Sequence, residues 1–449
     1  MKKRWKSSLL RSDLARLALP IFVETLLIMM LGAVDTFMLS QYSDESVAAV
    51  GVVNQLMVFT LLIFEVISVG TSVLCSQYIG AKLPKNVVQV VGVSLIVNLF
   101  FGLLVSGLLY VGAHFFLKAM GLGPELMAYG LGYMKIAGGF IFFQALSLTI
   151  SAALRSANKA IYPMMVTVVV NLLNIVGNYA LIFGKWGMPA LGVEGAAIST
   201  SVARCVAMVI LLVILFKKYI PRFPLAYFRP FPWGELKKLL RIGVPSAGEH
   251  MSYSFSQIIL TYFIAMIGTE ALTTRTYLVN TVMFVYLFAI AMAQGGAICI
   301  GRLVGQKRVR AAYLLGKYVM RISILVSLTL SCIWAAMGET VFGWLTDNPD
   351  IIRLGVTILC IDVILEVGRA VNIYATQALR ATGDVNFPFY VGVIVQWLVA
   401  VGCGYLFGIA WGWGLIGMWC AFVLDENIRG IIFVYRWKSM KWAKKGFVH

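Results

Sequence analysis

Apolar stretches about 20 residues long, enough to cross a bilayer as a helix, alternate with short polar segments along almost the whole chain. They fall near 14–40, 47–78, 87–112, 127–154, 162–184, 191–216, 236–267, 272–301, 313–337, 351–379, 387–409 and 413–435. Twelve transmembrane helices are predicted. The punctuation between them repeats: Pro20 and Glu24 return as Pro245 and Glu249, and Gly80 and Lys82 as Gly305 and Lys307. Leu154-Arg155 with Pro163 likewise return as Leu379-Arg380 with Pro388, again 225 residues later. The pattern predicts an all-α membrane protein of two six-helix bundles. Because each half has an even number of spans, the bundles are expected to be related by a pseudo-two-fold axis along the membrane normal, with a substrate path between them. Residues 1–216 make the expected N-lobe, 217–235 a cytoplasmic linker, and 236–449 the C-lobe with its basic tail.

Composition agrees with this pattern. The chain is 60% hydrophobic and 12% charged with a mean hydropathy of +0.88, against roughly 25% charged residues in a soluble domain. A formal charge of +18 would point a soluble protein toward nucleic acid, so the placement of the basic residues decides its meaning. Lys2, Lys3, Arg4, Lys6, Arg11, Arg16, Lys82, Lys85, Arg155, Lys159 and Arg380 share one side with the segments Lys217 to Arg241, Arg302 to Arg310 and Arg436 to Lys445. Lys118, Lys185, Arg275 and Arg353 fall on the other. This bias puts both termini in the cytoplasm, in a plasma (inner) membrane, and accounts for the charge without a nucleic-acid partner.

The seven cysteines form no C-x-x-C pair and the three histidines no ligand spacing, so neither a structural metal nor a disulfide framework is expected. Neither a phosphate-binding G-x-x-x-x-G-K-[ST] loop nor a nucleophile with its base is present. The chain is not expected to be an enzyme or to carry a cofactor, and transport would draw on an ion gradient. Its expected partners are the lipid bilayer and small organic molecules, with the chain acting as a monomer. Met29, Met30, Met164, Met165, Phe140 and Phe143 supply adaptable apolar surface of the kind that repacks around varied ligands.

An ionisable side chain near the bilayer centre costs from about 2.5 to over 10 kcal/mol by different measures, so each one inside a span needs a partner or a task. The repeat helps to sort them. Glu24 is matched by Glu249, and each follows a proline by four residues; capping of backbone freed by that proline and ion relay are both open to them. Asp35, Glu65, Asn174 and Asn178 meet Leu260, Ile290, Val399 and Cys403 in the other half. Asp35 therefore stands out. It lies eleven residues after Glu24, on nearly the same helix face and roughly 16 Å further along. Asn174 and Asn178, spaced i,i+4, share a face and can donate to a stranded carboxylate. In the second half Glu366 with Arg369, and Asp425 and Glu426 with Arg429, read as self-neutralising pairs. Asp362 and Glu249 are left as the less compensated acids there, and with Glu24 and Glu65 they are the candidates for an ion relay or second ion site.

Val34-Asp35-Thr36, Ala48-Ala49-Val50-Gly51, Gly80-Ala81-Lys82, Gly305-Gln306-Lys307 and Gly195-Ala196-Ala197-Ile198-Ser199-Thr200, set in six plus six spans, resemble the multidrug and toxic compound extrusion (MATE) family of secondary transporters. The resemblance implies an antiporter that exports organic, cationic or amphipathic compounds in exchange for H⁺ or Na⁺. It implies Asp35 as the ion-coupling acid, Asn174, Asn178 and Thr200 as its partners, and Pro20 as the hinge of the first helix. Many proton-coupled members carry Asp where Asn178 stands, and Arg369 stands near an acidic position of sodium-coupled members. H⁺ through Asp35 is the first expectation. Na⁺ held by Asp35 and the two asparagines is the second, and no other metal is expected. A lipid-linked precursor flippase of the same superfamily would need a strongly basic cavity, and a non-transporting membrane scaffold no coupling acid at all. A major-facilitator carrier would need a G-x-x-x-D-R/K loop where Gly80-Ala81-Lys82-Leu83-Pro84-Lys85 stands.

Overall fold

The computed structural model describes residues 2–220 and 223–448, without the side chains of residues 2–11 and 225. The basic side chains of Lys2, Lys3, Arg4, Lys6, Arg11 and Arg222, part of the charge bias above, lie outside the described residues. Among the described residues twelve long helical segments follow one another. They are α1 (Lys2–Ser40), α2 (Asp44–Gly80), α3 (Pro84–Val111), α4 (Pro124–Gly138 and Phe142–Ser156, bent by 44°), α5 (Ile161–Phe183) and α6 (Val193–Tyr219). The second set is α7 (Trp233–Ile267), α8 (Thr269–Gly305), α9 (Val309–Ala336), α10 (Pro349–Thr382), α11 (Asn386–Ala410) and α12 (Gly414–Lys438).

Eight of these are long and apolar enough to cross a bilayer, nine if the two parts of α4 count as one span. In α7, α10 and α12 polar and ionisable residues interrupt the apolar run. The helices start where local chemistry allows. Ser43 Oγ accepts from the Ser46 amide at 3.1 Å ahead of α2, Asn348 Oδ1 accepts from the Asp350 amide at 2.9 Å ahead of α10, and Pro84 and Pro349 occupy first-turn positions where no N–H is needed.

The chain forms two compact units. One runs from Leu19 to Val244, and the other joins the chain up to Ala18 to Pro245–His449. The division falls inside α1 and α7, beside Pro20 and at Pro245, rather than in the linker. An interior proline removes one rung of the helical ladder, so each of these helices can leave one unit and enter the other there. The linker packs with the first unit because Glu235, 7% exposed, is held by Tyr78, whose Oη donates to it at 2.7 Å, and by Lys238 Nζ at 3.0 Å. In the second unit a Cβ added at Gly295 would lie 3.1 Å from the Ala18 nitrogen.

Each unit has its own apolar core. Phe64, Tyr133, Met134 and Ile182 anchor the first, and Leu260, Ile264, Phe342 and Trp419 the second. In the first unit α2, α3 and α4 pack mutually with α6 on α4, and in the second α8, α9 and α10 do so with α12 on α10. The repeat extends to backbone dihedrals. Lys82 and Lys307 have φ of 60° and 56°, Asn158 and Gly383 have 66° and 93°, and Gly187 and Gly412 have 80° and 73°. Left-handed turns thus end equivalent helices in both units.

Gly195 lets α6 approach the end of α5: a Cβ there would meet the Leu181 carbonyl oxygen at 2.5 Å. Backbone cannot yield as a side-chain tip can, so Gly195→Leu is expected to destabilise the first unit by about 1–3 kcal/mol. Thermal unfolding in detergent should show this as a lowered Tm. Gly107 is the control: it is exposed, a Cβ added to it would meet nothing within 4 Å, and Gly107→Leu should leave the Tm unchanged.

Candidate functional site

On α5 the residues at 171, 174 and 178 are asparagines, spaced to share one helix face. Their flanks Leu172, Leu173, Ile175 and Val176 are exposed, as suits a lipid-facing surface, while the three amides are buried. Buried amides must find partners in their own chain, and these find α1 and α6. Asn178 Nδ2 donates to Asp35 Oδ1 at 2.6 Å and to Asn174 Oδ1 at 2.9 Å. Asn174 Nδ2 donates to Thr200 Oγ1 at 3.1 Å. Asn171 Nδ2 donates to the Leu27 carbonyl at 2.8 Å, two turns below Asp35 on α1. The result is one chain of hydrogen bonds, Asp35 to Asn178 to Asn174 to Thr200, that ties three helices of the first unit.

Two members of this neighbourhood do not stand out in the sequence as site residues. Arg204, one turn after Thr200, acts electrostatically on Asp35, and its Nη1 is buried without a hydrogen-bond partner among the described residues. Tyr133 of α4 lies against Thr200 and Arg204. The i,i+4 spacing of Thr200 and Arg204 is a usable signal for the arginine, whereas nothing in sequence links Tyr133 to α6. Asn171, a third residue absent from the predicted set, carries the same face signal as Asn174.

The other acids separate from this chain. Glu24 Oε1 accepts from Arg155 Nη2 at 2.5 Å, and Glu249 Oε2 accepts from Arg380 Nη2 at 2.6 Å. Both partners sit 131 residues downstream of their acid, so the repeat copies an ion pair. Glu249 is thus compensated in a way that spacing along one helix does not reveal. Asp362, 2% exposed, accepts from the Trp419 indole nitrogen at 2.9 Å. Beside it Glu366 pairs with Arg369, Arg429 pairs with Asp425 and with Glu426 at 3.3 Å, and Asn372 donates to Glu426 at 2.6 Å. Glu65 stands half-buried on α2. Pro20 lies inside α1, fifteen residues before Asp35.

The acceptors along the chain from Asp35 to Thr200 are all oxygen: a carboxylate, two amide oxygens and one hydroxyl. Among the described residues only the Asn178 side chain hydrogen-bonds to Asp35 itself. Asn178 Oδ1 is buried without a partner among the described residues. Such a set suits a hard monovalent cation as well as a proton. The nearby Arg204 charge acts against accumulating a second positive charge there.

A sequence model of the MatE family matches residues 20–180 and 245–406, one match in each half. The chain is 41% identical over 434 residues to a Bacillus subtilis (strain 168) protein named "Uncharacterized transporter YisQ", covering 97% of this chain and 95% of that one. It is 27% identical over 438 residues to the "Probable multidrug resistance protein NorM" of Thermotoga maritima, covering 97% and 94%. A crystal structure described as MATE in the bent conformation superposes with a TM-score of 0.89 over 96% of each chain at 21% identity. That likeness shows a common fold.

Removing one member of a buried ion pair leaves a charge in the low-dielectric interior and costs about 3–5 kcal/mol. Arg155→Met should lower stability by about 3 kcal/mol, at the small end because Arg155 keeps 22% of its side chain exposed. Glu24→Gln combined with Arg155→Met should regain most of that loss. A double-mutant cycle by thermal unfolding checks this, and strictly additive losses would show that the two groups do not hold each other.

Proposed function

The chain belongs to the MatE family, a family of integral membrane transporters, and from that membership we propose that it is an efflux antiporter exporting organic cationic or amphipathic compounds in exchange for inward H⁺. Asp35 is the coupling acid. One observation carries this reading: the Asp35 carboxylate, half-buried in a transmembrane helix, is met at 2.6 Å by an amide that is itself fully buried. The second unit has Leu260, Val399 and Cys403 at the equivalent positions. A group that exists in one half only is suited to an asymmetric task such as coupling.

The chemistry follows from what Asp35 can accept. Ionised, it takes the Asn178 N–H in a charge-assisted bond, which contributes about 1.5–3 kcal/mol. Protonation removes the charge and converts one carboxyl oxygen from acceptor to donor. The link from α1 to α5 is then weakened and rearranged, while Asn174 and Thr200 keep Asn178 oriented. Pro20 lies at the division of α1 between the two units, so a change in how Asp35 is tethered is passed to a point where the helix lacks a rung. Differential affinity of protonated and ionised Asp35 for two conformations is what lets a proton gradient drive alternating access. Organic cations compete for the same state because a cation and a proton are both favoured by the same carboxylate.

Na⁺ is the second reading, favoured by the unpartnered Asn178 Oδ1 among the described residues. Asp35, Asn174, Asn178 and Thr200 would hold the ion through oxygen. A flippase for anionic lipid-linked precursors fits less well, since Arg369, Arg380 and Arg429 of the second unit are engaged by carboxylates. The proposed setting is the plasma membrane, with both termini cytoplasmic and a monomer as the transporting form.

In proteoliposomes with imposed gradients, a pH gradient is expected to drive movement of a fluorescent organic cation. Asp35→Asn should insert normally and reduce this flux to that of protein-free vesicles. Flux driven by Na⁺ alone selects the second reading, and undiminished pH-driven flux in Asp35→Asn removes Asp35 from the mechanism.

A further inference from the structure

Between α10 and α12 of the second unit runs a groove of about 400 Å³ whose walls are almost entirely carbon. Val367, Val371, Ile431 and Val434 line it, and Gly368 and Gly430 make its floor. Gly368 marks a close approach, since a Cβ there would meet Asn427 Cγ at 2.9 Å and the Asn427 backbone nitrogen at 3.0 Å, whereas one at Gly430 would make ordinary contact with Val371 Cγ1 at 3.4 Å. With no side chain at Gly368 the helices come together, and with none at Gly430 a recess is left between them. The polar Asn427 does not spoil it, because its Nδ2 donates to the Val423 carbonyl of its own helix at 2.8 Å.

The rim of the groove faces outward. Ile431 is 70% and Tyr435 74% exposed, and in a membrane protein such apolar exposure is contact with lipid. The lining ends at the exposed Lys438. Beyond it Lys441, Lys444 and Lys445 are also exposed, and no Asp or Glu follows Glu426 in the chain. Arg436 is taken by Asp384, with Nε to Oδ2 at 2.7 Å, whereas Lys438 sits at the mouth of the groove. A carbon-lined slot whose lining ends in Tyr435 and Lys438, in a segment that continues with Lys441, Lys444 and Lys445 and no acid, is complementary to one kind of bilayer molecule. We infer that this groove is a specific site for an anionic phospholipid, with one acyl chain between Ile431 and Val371 and the headgroup phosphate at Lys438.

A small-residue floor of this kind also permits two helices to meet, so a second copy of the chain is the competing occupant. Purified protein is exchanged into micelles holding phosphatidylglycerol and phosphatidylcholine with matched acyl chains, and native mass spectrometry counts the lipids retained. The expected result is one phosphatidylglycerol retained in preference to phosphatidylcholine. Lys438→Gln should lower phosphatidylglycerol retention about fivefold, the factor one lysine contributes near an anionic surface, and leave phosphatidylcholine unchanged. Ile431→Trp, which crowds the groove from its exposed rim, should lower retention of both. Both side chains are exposed, so an unchanged Tm confirms that the variants fold. Equal retention of the two lipids by the wild type overturns the site. So does phosphatidylglycerol retention unchanged in Lys438→Gln or in Ile431→Trp, or a dimer that Ile431→Trp dissolves.

Discussion

Inside a bilayer there is no water to complete a hydrogen bond, so a polar side chain that α1 to α12 carry into the hydrocarbon region is costly unless the chain itself offers it a partner. This constraint sorts the buried polar residues into two kinds. One kind is duplicated: Glu24 with Arg155 and Glu249 with Arg380 are the same ion pair made twice, each tying the helix with the interior proline to the end of a helix of its own unit. The other kind is made once. Asp35, Asn178, Asn174 and Thr200 form a relay of donors and acceptors in the first unit, and the counterparts of the acid and both asparagines in the second unit are leucine, cysteine and valine.

The contrast gives the repeat a physical meaning. Left-handed turns, helix contacts and proline positions recur because they solve the same packing problem in both units. Leu260, the counterpart of Asp35, is fully buried in the second unit's apolar core. That unit instead gathers its charge on α10 and α12, where Glu366, Asp425 and Glu426 share Arg369 and Arg429 beside Asp362. Two units of one fold have therefore diverged in where they keep charge, and the MatE family match in each half marks the shared part.

Much of this is legible in the sequence. Runs of apolar residues locate the helices that length and hydropathy alone qualify to span, and the 225-residue repeat adds α7, α10 and α12, whose apolar runs polar residues interrupt. The i,i+4 spacing of Asn174 and Asn178 puts those two on one face and the repeat leaves Asp35 unmatched. That the asparagines meet Asp35, 143 residues away on another helix, comes from the family resemblance and not from spacing. The Glu24 and Glu249 pairs are not legible, because their arginines lie on other helices and no spacing rule reaches 131 residues. For the same reason the sequence does not place Tyr133, or the packing of residues 217–244 with the first unit, whereas Arg204 is within reach of the i,i+4 rule from Thr200. The packing of residues 217–244 includes Tyr78 donating to Glu235, a contact between segments 157 residues apart.

The central claim is that Asp35 gives up a proton when an organic cation is bound. Adding such a cation to detergent-solubilised protein in a weakly buffered solution, and following the bulk pH, tests it without vesicles or gradients. The account predicts proton release by the wild type and none by a folded Asp35→Asn protein. Equal release from the variant, or none from the wild type, contradicts it.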